Sequence, residues 1–300
     1  MHRTYRAGAA LAVALALGAC AHAGPPAPRA TACAVAARHT QGEALVRMPF
    51  EIVNGRVYVQ ARVNGQGPFT FAVDTGASGM GRADASLVAA LGLAVSGESQ
   101  TSDGVSTATV STVRFDSLQL GALERGGFDV ITRDYSSTMP EPQRIAGIIG
   151  RDFFADGLLV IDFPARMLTF SRTAALSPEH ADALAYERPF RVPVTIGAVS
   201  STGQLDTGAG VSLALPLSLY NQVASGPIED AGRARLTNNV VESGRAMLEG
   251  PVRIGDVTLS NLEVRVAERF PELVVGGQVL QNYVLAFDQR ARLVAVCAGG

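Results

Sequence analysis

The sequence predicts an all-β protein built from two similar halves that face each other across a cleft. Three observations carry this expectation. Hydrophobic residues make up 47% of the chain and charged residues 17%, and 32 glycines are spread among short β-branched runs, a composition of many strands and turns. The segment Val73-Asp74-Thr75-Gly76-Ala77-Ser78 recurs as Leu205-Asp206-Thr207-Gly208-Ala209-Gly210. Residues 148–170 also align without a gap on 274–296, so that Gly150 falls on Gly276, Asp162 on Asp288 and Arg166 on Arg292 (276 − 150 = 126). A lone Asp-Thr-Gly is an ordinary turn. Two copies, each followed by matching sequence, indicate a duplicated unit with one loop trimmed.

A carboxylate at the end of an apolar run costs desolvation energy unless it is hydrogen-bonded, so placing it twice in the same local sequence calls for a chemical use. Two aspartates held about 3 Å apart share one proton, and one then serves as base while the other serves as acid. With these residues in view, the chain resembles aspartic peptidases of the pepsin and retropepsin kind, in the two-lobed form found in bacteria. The resemblance rests on Asp74-Thr75-Gly76-Ala77 with Ile148-Ile149-Gly150, and on Asp206-Thr207-Gly208-Ala209 with Val274-Val275-Gly276. It covers about residues 45 to 297.

Along the chain, residues 1–20 form a leader, with basic His2, Arg3 and Arg6 and an apolar run from Ala9 to Leu17 too short to span a bilayer. Leu17-Gly18-Ala19-Cys20 resembles a lipobox, which makes Cys20 a lipidation site; the other reading is an ordinary signal peptide cleaved near Ala21 or Ala23. The lipoprotein resemblance implies the periplasmic face of an outer membrane, and the ordinary signal peptide a soluble periplasmic or secreted protein. Residues 21–44, rich in Ala and Pro, read as a flexible tether. Residues 45–172 are the expected N-terminal lobe, 173–188 the linker and 189–300 the C-terminal lobe. In the first lobe, Val57–Val63, a turn at Asn64-Gly65 and Phe69–Val73 form the hairpin that delivers Asp74. Asp84 caps a short helix through Leu91, stopped at Gly92. Val192–Ile196, Gly197 and the run to Leu205 repeat the hairpin, and Pro216–Ala224 repeats the helix. Further strands are expected at Thr107–Leu120, Phe128–Thr132, Val252–Leu259 and Leu262–Val266.

With Cys20 assigned to lipid, Cys33 and Cys297 remain as a disulfide candidate in an oxidising compartment, or as two free thiols. The family resemblance brings both chain ends into a shared sheet. The net charge of −2 with dispersed arginines and no lysine argues against a nucleic-acid partner. The histidines, His2, His22, His39 and His180, stand away from the repeated motifs, which disfavours a Ser-His-Asp triad or a histidine metal site. No cofactor and no metal are expected, and the protein is expected to act as a monomer.

The resemblance implies an endopeptidase acting on an extended polypeptide, with Asp74 and Asp206 activating a water between them. Thr75 and Thr207 would cross-link the loops, Gly76 and Gly208 would admit close backbone, and Ser78 would support the first loop. Ser102-Asp103-Gly104, read as a type I′ hairpin, is the candidate flap. Two departures from the family pattern are Gly210, where Ser212 is the substitute hydroxyl, and the lack of a tyrosine between Ala83 and Phe128. They keep open an inactive, peptide-binding scaffold. A glycosidase with two carboxylates is the less favoured rival. Asp162 and Asp288, with Arg166 and Arg292, read as structural turn residues.

Overall fold

The computed structural model describes residues 1–2, 30–39, 44–224 and 226–299, so Cys20 and most of the leader and tether lie outside the described residues. The protein is all-β, arranged in three sheets. An eight-stranded sheet carries Asp74, a nine-stranded sheet carries Asp206, and a six-stranded sheet takes strands from both halves.

The first-half hairpin joins Arg56–Val63 to Gln66–Asp74 across Asn64-Gly65. Both turn residues take positive φ, 51° and 74°, the conformation that follows the right-handed twist of the strands and that Asn-Gly reaches at least cost. Gly147–Gly150 then inserts parallel to Gln66–Asp74 and antiparallel to Gly81–Asp84. Asp84 Oδ1 accepts from Ser86 N at 3.0 Å to cap the helix Ala85–Leu91, and Gly92 ends it at φ 62°. The second half repeats the plan with Arg191–Ile196, Val199–Asp206, Leu273–Gly276, Leu213–Pro216 and the helix Leu217–Val223.

In the six-stranded sheet, Leu158–Asp162 pairs antiparallel with its own duplicate, Tyr283–Asp288. Val160 lies opposite Ala286, the residue onto which it maps in the duplication, so the local twofold passes between these two positions. Arg166 and Arg292 both take positive φ, 52° and 55°, at equivalent turns. The duplicated aspartates differ: Asp162 caps a turn by accepting from Ala165 N, whereas Asp288 is buried and pairs with Arg290.

The structure corrects three expectations. Residues 32–39 of the expected tether form a helix, because Ala32 and Ala36 are small enough to pack without exposure against Leu158, Val160, Ala286 and Ala295. The expected strand Val252–Leu259 is two strands, Val252–Ile254 and Val257–Leu259, folded back on each other at Gly255, whose φ is 57°. The linker contains a two-residue strand, Leu184–Ala185, paired with Leu293–Ala298 at the edge of the central sheet.

Cys33, on the helix at 32–39, is joined to Cys297, on the last strand, closing a loop of 264 residues. Asp182 accepts from the backbone N–H groups of Ala32 and Cys33 and so satisfies two donors of the first helical turn. Cross-linking so long a loop restricts the unfolded chain by about 5 kcal/mol in the chain-entropy account. Unreduced proteolysed protein is therefore expected to yield the linked Cys33–Cys297 peptide by mass spectrometry, with reduction lowering the melting temperature. Two free thiols in protein purified from an oxidising compartment would refute the pairing.

Candidate active site

The aspartate loops sit at the ends of Gln66–Asp74 and Val199–Asp206, where the parallel strands behind them place Asp74 opposite Gly150 and Asp206 opposite Gly276. A β-carbon on Gly150 would lie 2.4 Å from Gly79 O, and one on Gly276 would lie 2.2 Å from Val211 O. Residues 79 and 211 are duplicates, so the same close approach of loop to strand is made twice, and only glycine permits it.

The two loops interlock reciprocally. Thr75 N donates to Thr207 Oγ1 at 3.1 Å and Thr207 N to Thr75 Oγ1 at 3.0 Å, while the hydroxyls donate to Leu205 O and Val73 O, each at 2.8 Å. Both threonines are fully enclosed, so these bonds replace water that would otherwise satisfy the loops. A β-carbon on Gly76 would lie 2.3 Å from Asp206 Oδ2, and one on Gly208 2.3 Å from Asp74 Oδ2. Each carboxylate thus packs on the bare backbone of the opposite loop.

Ala77 N donates to Asp74 Oδ1 at 2.9 Å, and Gly208 N and Ala209 N donate to Asp206 Oδ1 at 2.8 and 3.1 Å. Burial raises the Asp206 carboxyl, and the adjoining charge of Asp74 raises it further, to about 7, against the lowering effect of those two amides. Two carboxyls so placed hold one proton between them across a wide range of acidic pH. A water bound to such a pair faces a proton acceptor and a proton donor at once.

The residues that brace the loops differ in part from those expected. Arg151 Nη1 donates to Gly76 O at 3.1 Å. At the duplicate of Arg151 stands Gly277, where a β-carbon would lie 2.1 Å from Gly55 O, and Arg56 Nε supplies the missing donor to Gly208 O at 2.8 Å. Arg151 follows Ile149-Gly150 directly and carries a sequence signal; Arg56 carries none, because its role depends on contact across 152 residues. Ser78 is exposed as the chain turns outward before Gly79, whose φ is 82°, and it makes no hydrogen bond into the loop among the described residues. Ser212 donates to Glu263 O rather than bracing the second loop, and Gly210 O instead accepts from Gln278 Nε2 at 3.0 Å.

The candidate flap is the hairpin of Val95–Ser102 and Thr107–Leu120. Its turn is not type I′: four residues, 103–106, connect the strands, and of these only Gly104 has positive φ, because the Asp103 carboxylate organises the turn by accepting from Val105 N and Ser106 N. The tip is tied to a hairpin of the second half, formed by Glu229–Arg235 and Val240–Leu248. Asn238 N donates to Asp103 Oδ2 at 2.7 Å, Asn238 Nδ2 to Thr101 O at 2.7 Å, and Asn239 Nδ2 to both Asp103 oxygens and to Ser106 Oγ. Arg133 Nη1 donates to Thr237 O at 2.7 Å from the neighbouring strand. Burial pushes the Asp103 carboxyl up, but hydrogen bonds from the Ser106, Asn238 and Val105 backbones and the Asn239 side chain outweigh it and hold it below its ordinary value of 3.8. The candidate flap hairpin carries no tyrosine; Tyr135, beyond the strand Leu123–Arg133, has a phenol within electrostatic reach of Asp74. Cys33, Asp182 and Cys297 bring three metal-ligating side chains together, but the sulfurs are bonded to each other and Asp182 is engaged by the helix.

Two outcomes follow from this geometry. Thr207→Val leaves Thr75 N and Val73 O buried without a partner and is expected to lower stability by about 3 kcal/mol, read as a lower urea midpoint at constant m; a change within 0.5 kcal/mol would show that the interlock is dispensable. A depressed carboxyl contributes fully above its ordinary value, so the contact between hairpin tips is expected to persist above pH 3.8 and to be lost as pH falls through the lowered value. Amide exchange at residues 101–106 and 237–239 measures this, and equal protection in Asp103→Ala and wild type at pH 6 would count against it.

Residues 59–153 match the family model Asp_protease_2, described as aspartyl protease. The matched span contains Asp74 and the Ile148-Ile149-Gly150 strand that crosses behind it, and it ends before the second aspartate loop. No curated protein matches the chain. An aspartyl-protease domain in the first half is thus supported by its sequence as well as by the architecture around Asp74.

Proposed function

We propose that the chain is an aspartic endopeptidase that hydrolyses peptide bonds with a water held between Asp74 and Asp206. The observation that carries this reading is the pair of carboxylates seated on each other's loop glycines, with the Asp206 carboxyl raised to about 7. In the proton-sharing state Asp206 donates to the scissile carbonyl and Asp74 draws the proton from the attacking water. The gem-diol that forms collapses as the amine leaves with a proton from the dyad. No covalent intermediate arises. An extended polypeptide would lie between the hairpin tips and the aspartates, pairing its backbone with strand edges. With the Cys20 lipobox, this reading gives an enzyme anchored by lipid in the bacterial cell envelope.

Asp74→Asn and Asp206→Asn are each expected to remove nearly all turnover of a diverse peptide library while the protein stays folded. Wild-type turnover in either variant would overturn the two-aspartate reading. Activity is expected to fall as pH rises through about 7, where Asp206 loses its proton. Ala209→Ser places a hydroxyl beside the amide that already donates to Asp206 Oδ1; favouring the charged form, it should shift that limb to lower pH, as should the double change with Ala77→Ser. Linkage gives a second readout. A carboxyl raised in the folded state binds more protons folded than unfolded between its ordinary value of 3.8 and about 7, so its contribution to stability declines as pH rises through that window. Asp206→Asn should therefore melt above wild type at pH 8, with the difference shrinking in acid.

A further inference from the structure

The two halves differ in the charge they place beside the aspartate loops. Across the first-half strands, Tyr58, Ala72, Ile148, Arg82 and Ile131 are successive neighbours in register and so share one face of the sheet. On that face Tyr58, Ala72 and Ile148 cluster with Ala77 of the aspartate loop and with Tyr135, apart from the main core. The corresponding row in the second half is Arg191, Gln204, Val274, Ala214 and Arg265. Ala214 stands where Arg82 stands, at the same offset of 132 residues as the two aspartate loops. The fold therefore does not need a cation at this position.

The cation is also without an anion. In the second-half row Arg191 pairs with Glu272, and Arg265 Nη1 donates to Ala231 O at 2.9 Å and Ser243 Oγ at 3.3 Å. Arg82 is half-buried and forms no ion pair among the described residues, and its Nε is buried with no hydrogen-bond partner. Tyr135 Oη is likewise buried without a hydrogen bond of ordinary geometry, and the group that comes nearest to pairing with it is the Arg82 side chain itself. Burial pushes the Tyr135 phenol up, the charges of Arg82 and Arg133 and the Arg82 side chain as a hydrogen-bond donor oppose this, and Asp74 adds to it, so Arg82 and Asp74 both lie within electrostatic reach of a phenol that packs with Ala77 of the aspartate loop. A partly desolvated guanidinium that meets only a phenol, with no anion to neutralise it, is costly on an apolar wall unless something pairs with it.

We propose that Arg82 and Tyr135 form a substrate subsite beside Asp74 that takes a carboxylate side chain, so that cleavage favours a glutamate at one position of the polypeptide. This rests on the peptidase reading given above. The guanidinium offers a planar pair of donors that matches a carboxylate, and the phenol offers a third. A glutamine of the same shape leaves the guanidinium unneutralised, which sets the discrimination. The second half, with Ala214 in place of the arginine, makes no such demand, so the preference is one-sided along the substrate.

The test uses fluorescein-labelled octapeptides of Ala, Leu and Phe carrying one Glu, or Gln in its place, at each position in turn, at pH 6. Wild type is expected to cleave the Glu peptide at least about tenfold better in kcat/KM at one position. Arg82→Met should bring that Glu/Gln ratio to about 1, Tyr135→Phe should reduce it, and Arg82→Lys should retain part of it; melting curves identify any variant that fails to fold. Cleavage with a ratio near 1 at every position, or a ratio that survives in Arg82→Met, overturns the subsite and leaves the peptidase reading standing. If wild type cleaves no peptide, that reading falls, and binding of the same peptides to Asp206→Asn, whose amide mimics the protonated carboxyl, decides the subsite. Tenfold tighter Glu binding that is lost on adding Arg82→Met upholds it, and equal binding of Glu and Gln peptides overturns it.

Discussion

Everything at the centre of this protein depends on two carboxylates occupying the space that a β-carbon would take on the opposite loop. Asp206 sits on Gly76 and Asp74 on Gly208, so neither loop can take its shape unless the other is already there. The threonines extend the same dependence into the backbone, each bonding the amide of its counterpart and a carbonyl of the opposite strand. Buried groups that satisfy only each other form a network of high stakes, since removal of one member strands the rest. The raised Asp206 carboxyl follows directly, because the same close packing strips solvent from it and sets it beside the charge of Asp74.

Around this symmetric centre the bracing is asymmetric. The first loop is held from its own half by Arg151, whereas the second is held by Arg56 from the other half, because Gly277 leaves no arginine at the duplicate position. The hairpin tips repeat the theme: a carboxylate on one side, Asp103, meets two asparagines on the other, Asn238 and Asn239. Duplication within one chain makes such divergence possible. A dimer of identical subunits would impose Arg82 twice, and the charges would then face each other across the site.

Much of this was legible from short-range pattern. The Asn64-Gly65 turn, the Asp84 cap and the Gly92 stop are local devices whose chemistry is complete within a few residues, and the repeat itself shows which loops are equivalent. The helix at 32–39 was hidden because its alanines look like tether until the sheet they pack on is known. The turn at 103–106 misled for a similar reason: Asp-Gly suggests a two-residue loop, but the Asp103 side chain is committed to Val105, Ser106 and residues more than 130 positions away. Arg56, Arg82 and Tyr135 were silent in the sequence, because a lone arginine or tyrosine acquires meaning only from what lies across a strand or a half. Ser78 shows the converse, a residue conspicuous by position that the chain turns out to solvent.

The pairing of Leu158–Asp162 with Tyr283–Asp288 has a consequence for the order of events during synthesis. A nascent chain that has emerged only as far as the first aspartate loop and its central strand holds one carboxylate, no partner threonine and an open edge on the strand at 158–162. The shared sheet closes only when residues 283–298 have arrived, since they supply both its other central strand and the strand that carries Cys297. Both aspartate loops, at 74 and 206, are thus synthesised before the strand on which the shared sheet closes.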